Sequence, residues 1–196
     1  MRPAPNTTAW YLLTQSGYDL KPPAAAQNQG LEVLRDYLDD KGNAITDLKL
    51  GQEVTVRLRV RALGAKARGQ IAIVDLLPGG FEAVLQQKAA PPEPTAEEGD
   101  YSEEEGDGEE AEWTPPTLPL ALPGSTLNPE HIEVREDRVV LYVYTTDEVT
   151  EFRYRLRGNN AGSFVVPPVY AESMYDRSVY AQGGPAGRLQ VASPTP

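Results

Sequence analysis

The ten residues Glu53–Ala62, EVTVRLRVRA, decide the fold class of this chain. Every second residue is apolar (Val54, Val56, Leu58 and Val60), and the residues between them are polar (Thr55, Arg57, Arg59 and Arg61). Strict alternation is typical of a half-buried β-strand, because successive side chains of a strand point to opposite faces. We therefore predict a strand over residues 53–62, with one face in a core and a basic face toward water.

Further short strands are predicted on both sides of this one, and the 18 prolines and 17 glycines of the chain suit strands joined by turns. RVVLYVYT (138–145) and VTEFRYRLR (149–157) flank TDE and predict an antiparallel hairpin with Phe152, Tyr154 and Leu156 inward. Seven to nine strands predict an all-β fold, an antiparallel β-sandwich with at most one or two short helices. The other predicted strands are AWYLLT (9–14), LEVLRDYLD (31–39), GQIAIVDLLPGGF (69–81), HIEVR (131–135), SFVV (163–166) and GRLQV (187–191), whereas FEAVLQQK (81–88) suits a strand or a short helix.

The domain organisation follows from shifts in composition along the 196 residues. Residues 21–30, KPPAAAQNQG, resemble a linker, so residues 31–196 form the main domain. Residues from about 89 to 126 are rich in Pro, Glu, Gly and Thr, and eleven acidic residues and no basic residue lie between Glu93 and Glu112. We predict that this long acidic insert is disordered. The rest of the chain is balanced, with 18 acidic against 18 basic residues, which argues against nucleic-acid binding.

The sequence offers little to enzyme chemistry. The chain has no cysteine, which excludes disulfides, thiol nucleophiles and thiolate metal sites. Its single histidine, His131, begins a predicted strand and suits a solvated position better than a general base. No nucleophile elbow or phosphate-loop spacing is present, and the acidic run lacks calcium-loop spacing. We therefore predict a non-catalytic domain without cofactor or metal, and no apolar run is long enough to insert into a membrane.

Two surface features suggest contacts with other proteins. The predicted basic strand faces carry Arg57, Arg59 and Arg61, and Arg153, Arg155 and Arg157, which either pair with nearby acids or form a docking face. The stretch FVVPPVYAESMYDRSVYAQGG (164–184) combines two prolines with an aromatic and methionine cluster in a predicted loop. The cluster is either a lid on the domain's own core or a rigid surface for a partner, since tyrosine and methionine are enriched in interface cores. The candidate partner-binding residues are Pro167, Pro168, Tyr170, Glu172, Met174, Tyr175, Asp176 and Tyr180.

Four stretches, YLLTQSGYD, GQEVTVRLRVRA, VDLLPGGFE and EDRVVLY…FRYRLRGNNAGSFVVPPVYAESMYD, occur in the order seen at the C-terminus of bacterial alpha-2-macroglobulin-like proteins. The resemblance covers most of residues 9–192 outside the acidic insert. It implies a C-terminal macroglobulin-like β-sandwich, with residues 1–20 as the tail of a preceding domain. It also implies a parent that traps proteases (an endopeptidase inhibitor), lies in the periplasm and is anchored to the inner membrane as a lipoprotein.

The resemblance also implies partners for the candidate residues. In thioester-bearing members an aromatic loop of the final domain covers the thioester of a neighbouring domain, and PPVYAESMYD is the matching stretch, through Tyr170, Met174 or Tyr175. The expected partners are the neighbouring domains and, through the parent, target proteases. The alternative is an adaptor domain that recruits another periplasmic envelope protein. A C-x-E-Q motif upstream in the parent would favour the thioester role over the adaptor role.

Overall fold

The computed structural model describes residue 10 and residues 12–14, 24–64, 69–85, 120–185 and 187–193, and these residues contain strands and no helix. FEAVLQQK therefore begins as a strand and not as a helix. The fold class, an all-β sandwich, is confirmed, although the strands are more numerous than predicted. In chain order they are β1 (Gln27–Gln29), β2 (Leu31–Leu38), β3 (Asp47–Lys49), β4 (Glu53–Ala62), β5 (Gly69–Leu76), β6 (Phe81–Val84), β7 (His131–Val134), β8 (Arg138–Thr145), β9 (Thr150–Gly158), β10 (Gly162–Val165), β11 (Tyr170–Ser173), β12 (Tyr180–Gln182) and β13 (Arg188–Ala192).

The described strands form three sheets. The large sheet has the order β1-β12-β11-β5-β8-β7, a second sheet has the order β2-β4-β9-β6, and a small sheet has the order β10-β13-β3. All neighbours are antiparallel except β13 and β3, which run parallel. The inward side chains of the large and second sheets, and the buried residues of the small sheet, belong to one hydrophobic core.

Strand β4 behaves as its alternation predicts, since Val54, Val56, Leu58 and Val60 are buried and the residues between them are half-buried. The inward prediction for Phe152, Tyr154 and Leu156 on β9 is also confirmed, because all three are fully buried. These two strands are neighbours, so their inward faces form a continuous apolar surface of the second sheet.

The predicted hairpin of RVVLYVYT and VTEFRYRLR is wrong. Strand β8 pairs with β5 and β7, whereas β9 pairs with β4 and β6, so the two strands lie in different sheets. Four residues, 146–149, connect them. Packed sheets stand about 10 Å apart and an extended residue spans about 3.3 Å, so four residues are enough to cross from one sheet to the other. A short connector therefore does not distinguish a hairpin from a crossing between sheets.

Three segment boundaries also differ from the predictions. Trp10 and residues 12–14 of the predicted strand AWYLLT form no strand and are exposed. Residues 27–29 of the predicted linker form β1, which pairs with β12. At the far end of the predicted insert, Leu120 is fully buried and the backbone N–H of Leu122 donates to the carbonyl of Arg153, so residues 120–126 are ordered. Their leucines anchor them, and residues 86–119 lie outside the described residues.

The turn Pro78-Gly79-Gly80, between β5 and β6, requires glycine at its last position. Gly80 has a φ of 78°, in the left-handed region that side chains disfavour. A Cβ atom there would lie 2.7 Å from the Phe164 ring, which packs edge-to-face on Phe81. The glycine therefore allows the small sheet to approach the second sheet closely.

Candidate docking hairpin

The predicted loop 164–184 contains two strands, which corrects the sequence-based prediction. Pro167 and Pro168 precede β11 and do not interrupt it. Strand β11 pairs with β5 on one side and with β12 on the other, so it lies inside the large sheet. Ala171 and Ala181 point into the core and are fully buried. We call β11, β12 and the connecting residues 174–179 the docking hairpin, and those connecting residues its tip.

The hairpin tip is held by local hydrogen bonds. The Ser173 hydroxyl accepts from the backbone N–H of Asp176 at 3.2 Å and of Tyr175 at 3.4 Å. The Asp176 carboxylate accepts from the backbone N–H of Ser178 at 3.0 Å and from its hydroxyl at 2.6 Å. Asp and Ser side chains commonly stabilise turns in this way. Asp176, one of the predicted site residues, therefore shapes the tip.

This turn leaves two large apolar side chains outside the core. Tyr175 is 82% exposed and Met174 is 48% exposed. Neither side chain serves as a lid on this domain's own core, which was one of the two alternatives from the sequence. The buried anchors of the hairpin are instead the small residues Ala171 and Ala181 and the valines Val169 and Val179.

Tyr170, Glu172 and Tyr180 lie together on the outer face of the large sheet. Glu172 is directly opposite Tyr180 in the register of β11 and β12, and the Tyr170 and Tyr180 rings stack with centroids 6.4 Å apart. The Tyr170 hydroxyl donates to Glu172 at 3.0 Å. Partial burial, together with the bond to the nearby carboxylate, raises the pKa of Tyr170 to about 12. The structure thus brings these three predicted residues together, adjacent to the tip.

Sequence reasoning missed a buried polar cluster that contacts Pro167, just before the hairpin. Arg35 on β2 forms an ion pair with Asp75 on β5, and both side chains are 2% exposed. The same guanidinium donates to the carbonyl oxygen of Pro167. The Tyr154 hydroxyl donates to the other carboxylate oxygen of Asp75 at 2.6 Å, and the Arg35 guanidinium lies over the Tyr37 ring at 5.3 Å. We call these four side chains the Arg35 cluster.

Burial and mutual interaction shift the ionisation of the Arg35 cluster. Burial raises the pKa of Asp75, while the positive charge of Arg35 and the Tyr154 hydrogen bond oppose that shift. Burial lowers the pKa of Arg35, but Asp75, Tyr37 and Tyr154 together outweigh this effect and the net pKa is raised. Burial raises the pKa of Tyr154 well above its usual range, and Asp75 adds to the rise. The cluster joins the two main sheets, since β2 and β9 lie in one and β5 in the other.

The outer arginines of the second sheet are paired with acids. Arg57 and Arg59 both contact Asp36, and Arg61 contacts Glu32. On β9, Arg155 and Arg157 share Glu53, and Arg153 contacts Glu151. This is the pairing that one of the two sequence interpretations expected. The alternative, a docking face, stays untested.

Three other features that the sequence raised are His131, a metal site and a membrane span. His131 begins β7, is exposed and lies beside the Tyr142 ring at 5.7 Å. Within the described ranges, no group of three His, Asp or Glu side chains could hold a metal ion. The same residues include no helix long and apolar enough to cross a membrane.

Comparisons with known proteins extend these observations. Residues 30–177 match a family model described as the bacterial alpha-2-macroglobulin MG10 domain. An alpha-2-macroglobulin homolog from Yersinia pestis is 45% identical over 186 residues, which cover 95% of this chain and 9% of the relative. An alpha-2-macroglobulin from Pasteurella multocida is 35% identical over 93% of this chain and 8% of its own length. The chain thus spans about a tenth of the length of these curated relatives.

A solved structure shows the same architecture. A crystal structure of native alpha-2-macroglobulin from Escherichia coli, spanning domain MG7 to the C-terminus, has a TM-score of 0.63 and 29% identity. The match covers 89% of this chain and 25% of that one. The family model and the identity to the Yersinia relative agree with this likeness in fold. The chain therefore belongs to the bacterial alpha-2-macroglobulin family, and its residues 30–177 correspond to the MG10 domain.

Proposed function

We propose that this chain is a non-catalytic domain of a periplasmic, lipid-anchored alpha-2-macroglobulin that traps proteases, and that the docking hairpin packs against a neighbouring domain of that parent. The observation that carries the proposal is the tip, where Tyr175 is 82% exposed on a turn held by hydrogen bonds. A large ring held outside its own core has apolar surface that a neighbour can bury. A rigid turn also lowers the entropy lost on binding.

Within this proposal, Met174 and Tyr175 shield a thioester of the neighbouring domain from water. A reactive acyl group survives when water is excluded, and a flat ring and a thioether are suited to that task. Tyr170, Glu172 and Tyr180 border the tip on the outer sheet face and supply the polar rim of the contact. Support comes from the family membership and from the resemblance of PPVYAESMYD to the aromatic loop expected in thioester-bearing members.

The test uses Tyr175→Ala and Met174→Ala in the full-length parent. Truncating an interface anchor typically costs about 1–3 kcal/mol of binding. The equilibrium between the undocked and docked tip should therefore shift about 5- to 150-fold toward the undocked form. We expect faster loss of the thioester to a small amine before any protease is added, and reduced trapping afterwards. The melting temperature of the 196-residue chain should not change, because neither side chain lies in its core.

Leu50→Ala is the matched control. Leu50 is 41% exposed, close to the 48% of Met174, but it follows β3 in the small sheet. Equal effects of Leu50→Ala and Tyr175→Ala on the parent would contradict docking by the hairpin tip. Unchanged amine sensitivity of a thioester-bearing parent in both tip variants would contradict the shielding role. Loss of binding to another envelope protein, with trapping intact, would favour the adaptor alternative.

A further inference from the structure

The segment that leads into the docking hairpin, Pro167 and Pro168, has few backbone donors. Pro167 and Pro168 have no N–H group, so their carbonyls are the only backbone groups through which they can hydrogen-bond. On either side the backbone is held, since the N–H of Val166 donates to the Gly187 carbonyl at 3.1 Å and the N–H of Gly183 donates to the Val169 carbonyl at 2.8 Å. The proline rings fix φ of both residues and Pro168 also restricts ψ of Pro167, so this segment is stiff and a bond to the Pro167 carbonyl holds it as a unit.

A side chain from the opposite sheet holds that carbonyl. One nitrogen of the Arg35 guanidinium donates to the Pro167 carbonyl, and the other donates to Asp75 and, at 3.3 Å, to the Leu76 carbonyl. A guanidinium has donors in a rigid fork, so fixing one branch also fixes the direction of the other. Because Asp75 and Leu76 belong to β5, the fork sets Pro167 in position relative to the strand with which β11 pairs.

The position of Arg35 in its strand is what makes this contact possible. Every second side chain of β2 points inward, and these are Leu31, Val33, Arg35 and Tyr37. Arg35 is therefore at an inward position, where an apolar side chain is usual. A buried guanidinium is costly unless it is paired, and here two of its three nitrogens are bonded while Nε has no partner. An apolar residue would fill the same space, but it could not bond the Pro167 carbonyl.

We propose that Arg35 is a positioning residue for the docking hairpin, because its guanidinium, fixed by Asp75, holds the Pro167 carbonyl and thereby the entry of β11. The biological meaning of this role rests on the proposed docking function. The role itself is a property of the 196-residue chain. It predicts that loss of the guanidinium fork loosens the hairpin more than it loosens the rest of the sandwich.

The test is amide hydrogen exchange in Arg35→Lys. A lysine keeps a positive charge beside Asp75 but lacks the second branch of the fork. The amides of Ser173 and Met174 report on the hairpin, and that of Gly183 reports on the residue just after it. The amide of Leu156 on β9, two strands away from Arg35, reports on the second sheet. We expect the exchange rate of the first three amides relative to that of Leu156 to rise at least about tenfold.

Tyr154→Phe is the matched control, because it removes a hydrogen bond from Asp75 without touching Pro167. It should speed exchange in both regions alike, as a general loss of stability does. An unchanged ratio in Arg35→Lys, or an equal rise in Tyr154→Phe, would overturn the proposal, since the apolar anchors would then hold the hairpin alone. If Arg35→Lys does not fold, the same ratio is measured in the double variant Arg35→Gln with Asp75→Asn. The two amides can hydrogen-bond each other without charge, and glutamine is shorter than arginine, so it should not reach Pro167.

The two proposals fail in different ways. If docking is wrong, Arg35→Lys still raises the exchange ratio in the 196-residue chain, while protease trapping by the parent is unaffected. If positioning is wrong, the exchange ratio stays constant whatever the parent does.

Discussion

Replacing Asp75 by alanine should destabilise the chain strongly, because the change leaves the Arg35 guanidinium in the core without its carboxylate. Both side chains are 2% exposed, so water cannot substitute for the lost partner. Breaking a buried ion pair from one side typically costs about 3–5 kcal/mol. The Tyr154 hydroxyl also loses its acceptor, which places the expected cost in the upper half of that range.

Urea denaturation measures this cost directly. With a slope of about 2 kcal/mol per molar urea, a loss of about 4–5 kcal/mol lowers the unfolding midpoint by about 2–2.5 M. The double variant Asp75→Leu with Arg35→Met should recover most of the loss, since replacing a buried pair by apolar residues of similar volume is often close to neutral. Its cost should therefore be well below the sum of the two single costs.

Asp36→Ala is the control for this prediction. Asp36 also bridges arginines, Arg57 and Arg59, but on the outer face of the second sheet, where its side chain is 30% exposed. Its removal should cost less than about 1 kcal/mol. A cost below about 1 kcal/mol for Asp75→Ala, or single costs that simply add in the double variant, would show that the charge of Asp75 does not offset the burial of Arg35.

Three further measurements probe other parts of the molecule. Gly80→Ala should cost about 2–4 kcal/mol in the same assay, because it combines a positive φ with a collision against the Phe164 ring; a cost near zero would contradict the close approach of the two sheets. Hydrogen bonds from Arg157 hold the pKa of Glu53 below its usual range, so Glu53→Gln should cost less than about 1 kcal/mol at pH 7. This difference in the free energy of unfolding should disappear as the pH falls below the ordinary glutamate pKa of about 4.3 and then through the lowered pKa of Glu53. A difference that persists in acid would contradict the prediction. Tyr170 has a raised pKa of about 12, so its contribution to stability is complete below pH 10 and is lost as the pH rises toward 12. In an absorbance titration, Tyr170→Phe should remove a phenol that ionises near pH 12. Loss of a phenol that ionises near pH 10 would contradict the raised pKa of Tyr170.

Much of the fold was predictable because long alternating strands carry their own signal. The ten residues of β4 and the nine of β9 alternate over many positions, and their buried faces match the pattern. Strands of three residues, such as β1, β3 and β12, are too short to show a period. The partner of a strand is also invisible to local pattern, which is why β8 and β9 were wrongly paired.

The candidate site was predictable in composition but not in shape. The cluster of tyrosine and methionine in 164–184 marked the correct segment, and the structure divides it into an outer sheet face and an exposed tip. The Arg35 cluster was missed because charged residues at inward positions contradict the usual pattern. The signal was nevertheless present, since Asp75 interrupts the apolar run IAIVDLL and Arg35 occupies an inward place of LEVLRDYL.

The position of β1 in the large sheet has a consequence for how the chain acquires its structure. Gln27–Gln29 pairs with β12, so the first described strand can pair only with residues more than 150 positions later in the chain. Strand β11 likewise pairs with β5, about 100 residues earlier. Contacts this distant in sequence slow folding to milliseconds or seconds in all-β domains. During synthesis the edge of β1 therefore stays open until the ribosome has delivered the hairpin, and that interval is when the nascent chain is most exposed to mispairing.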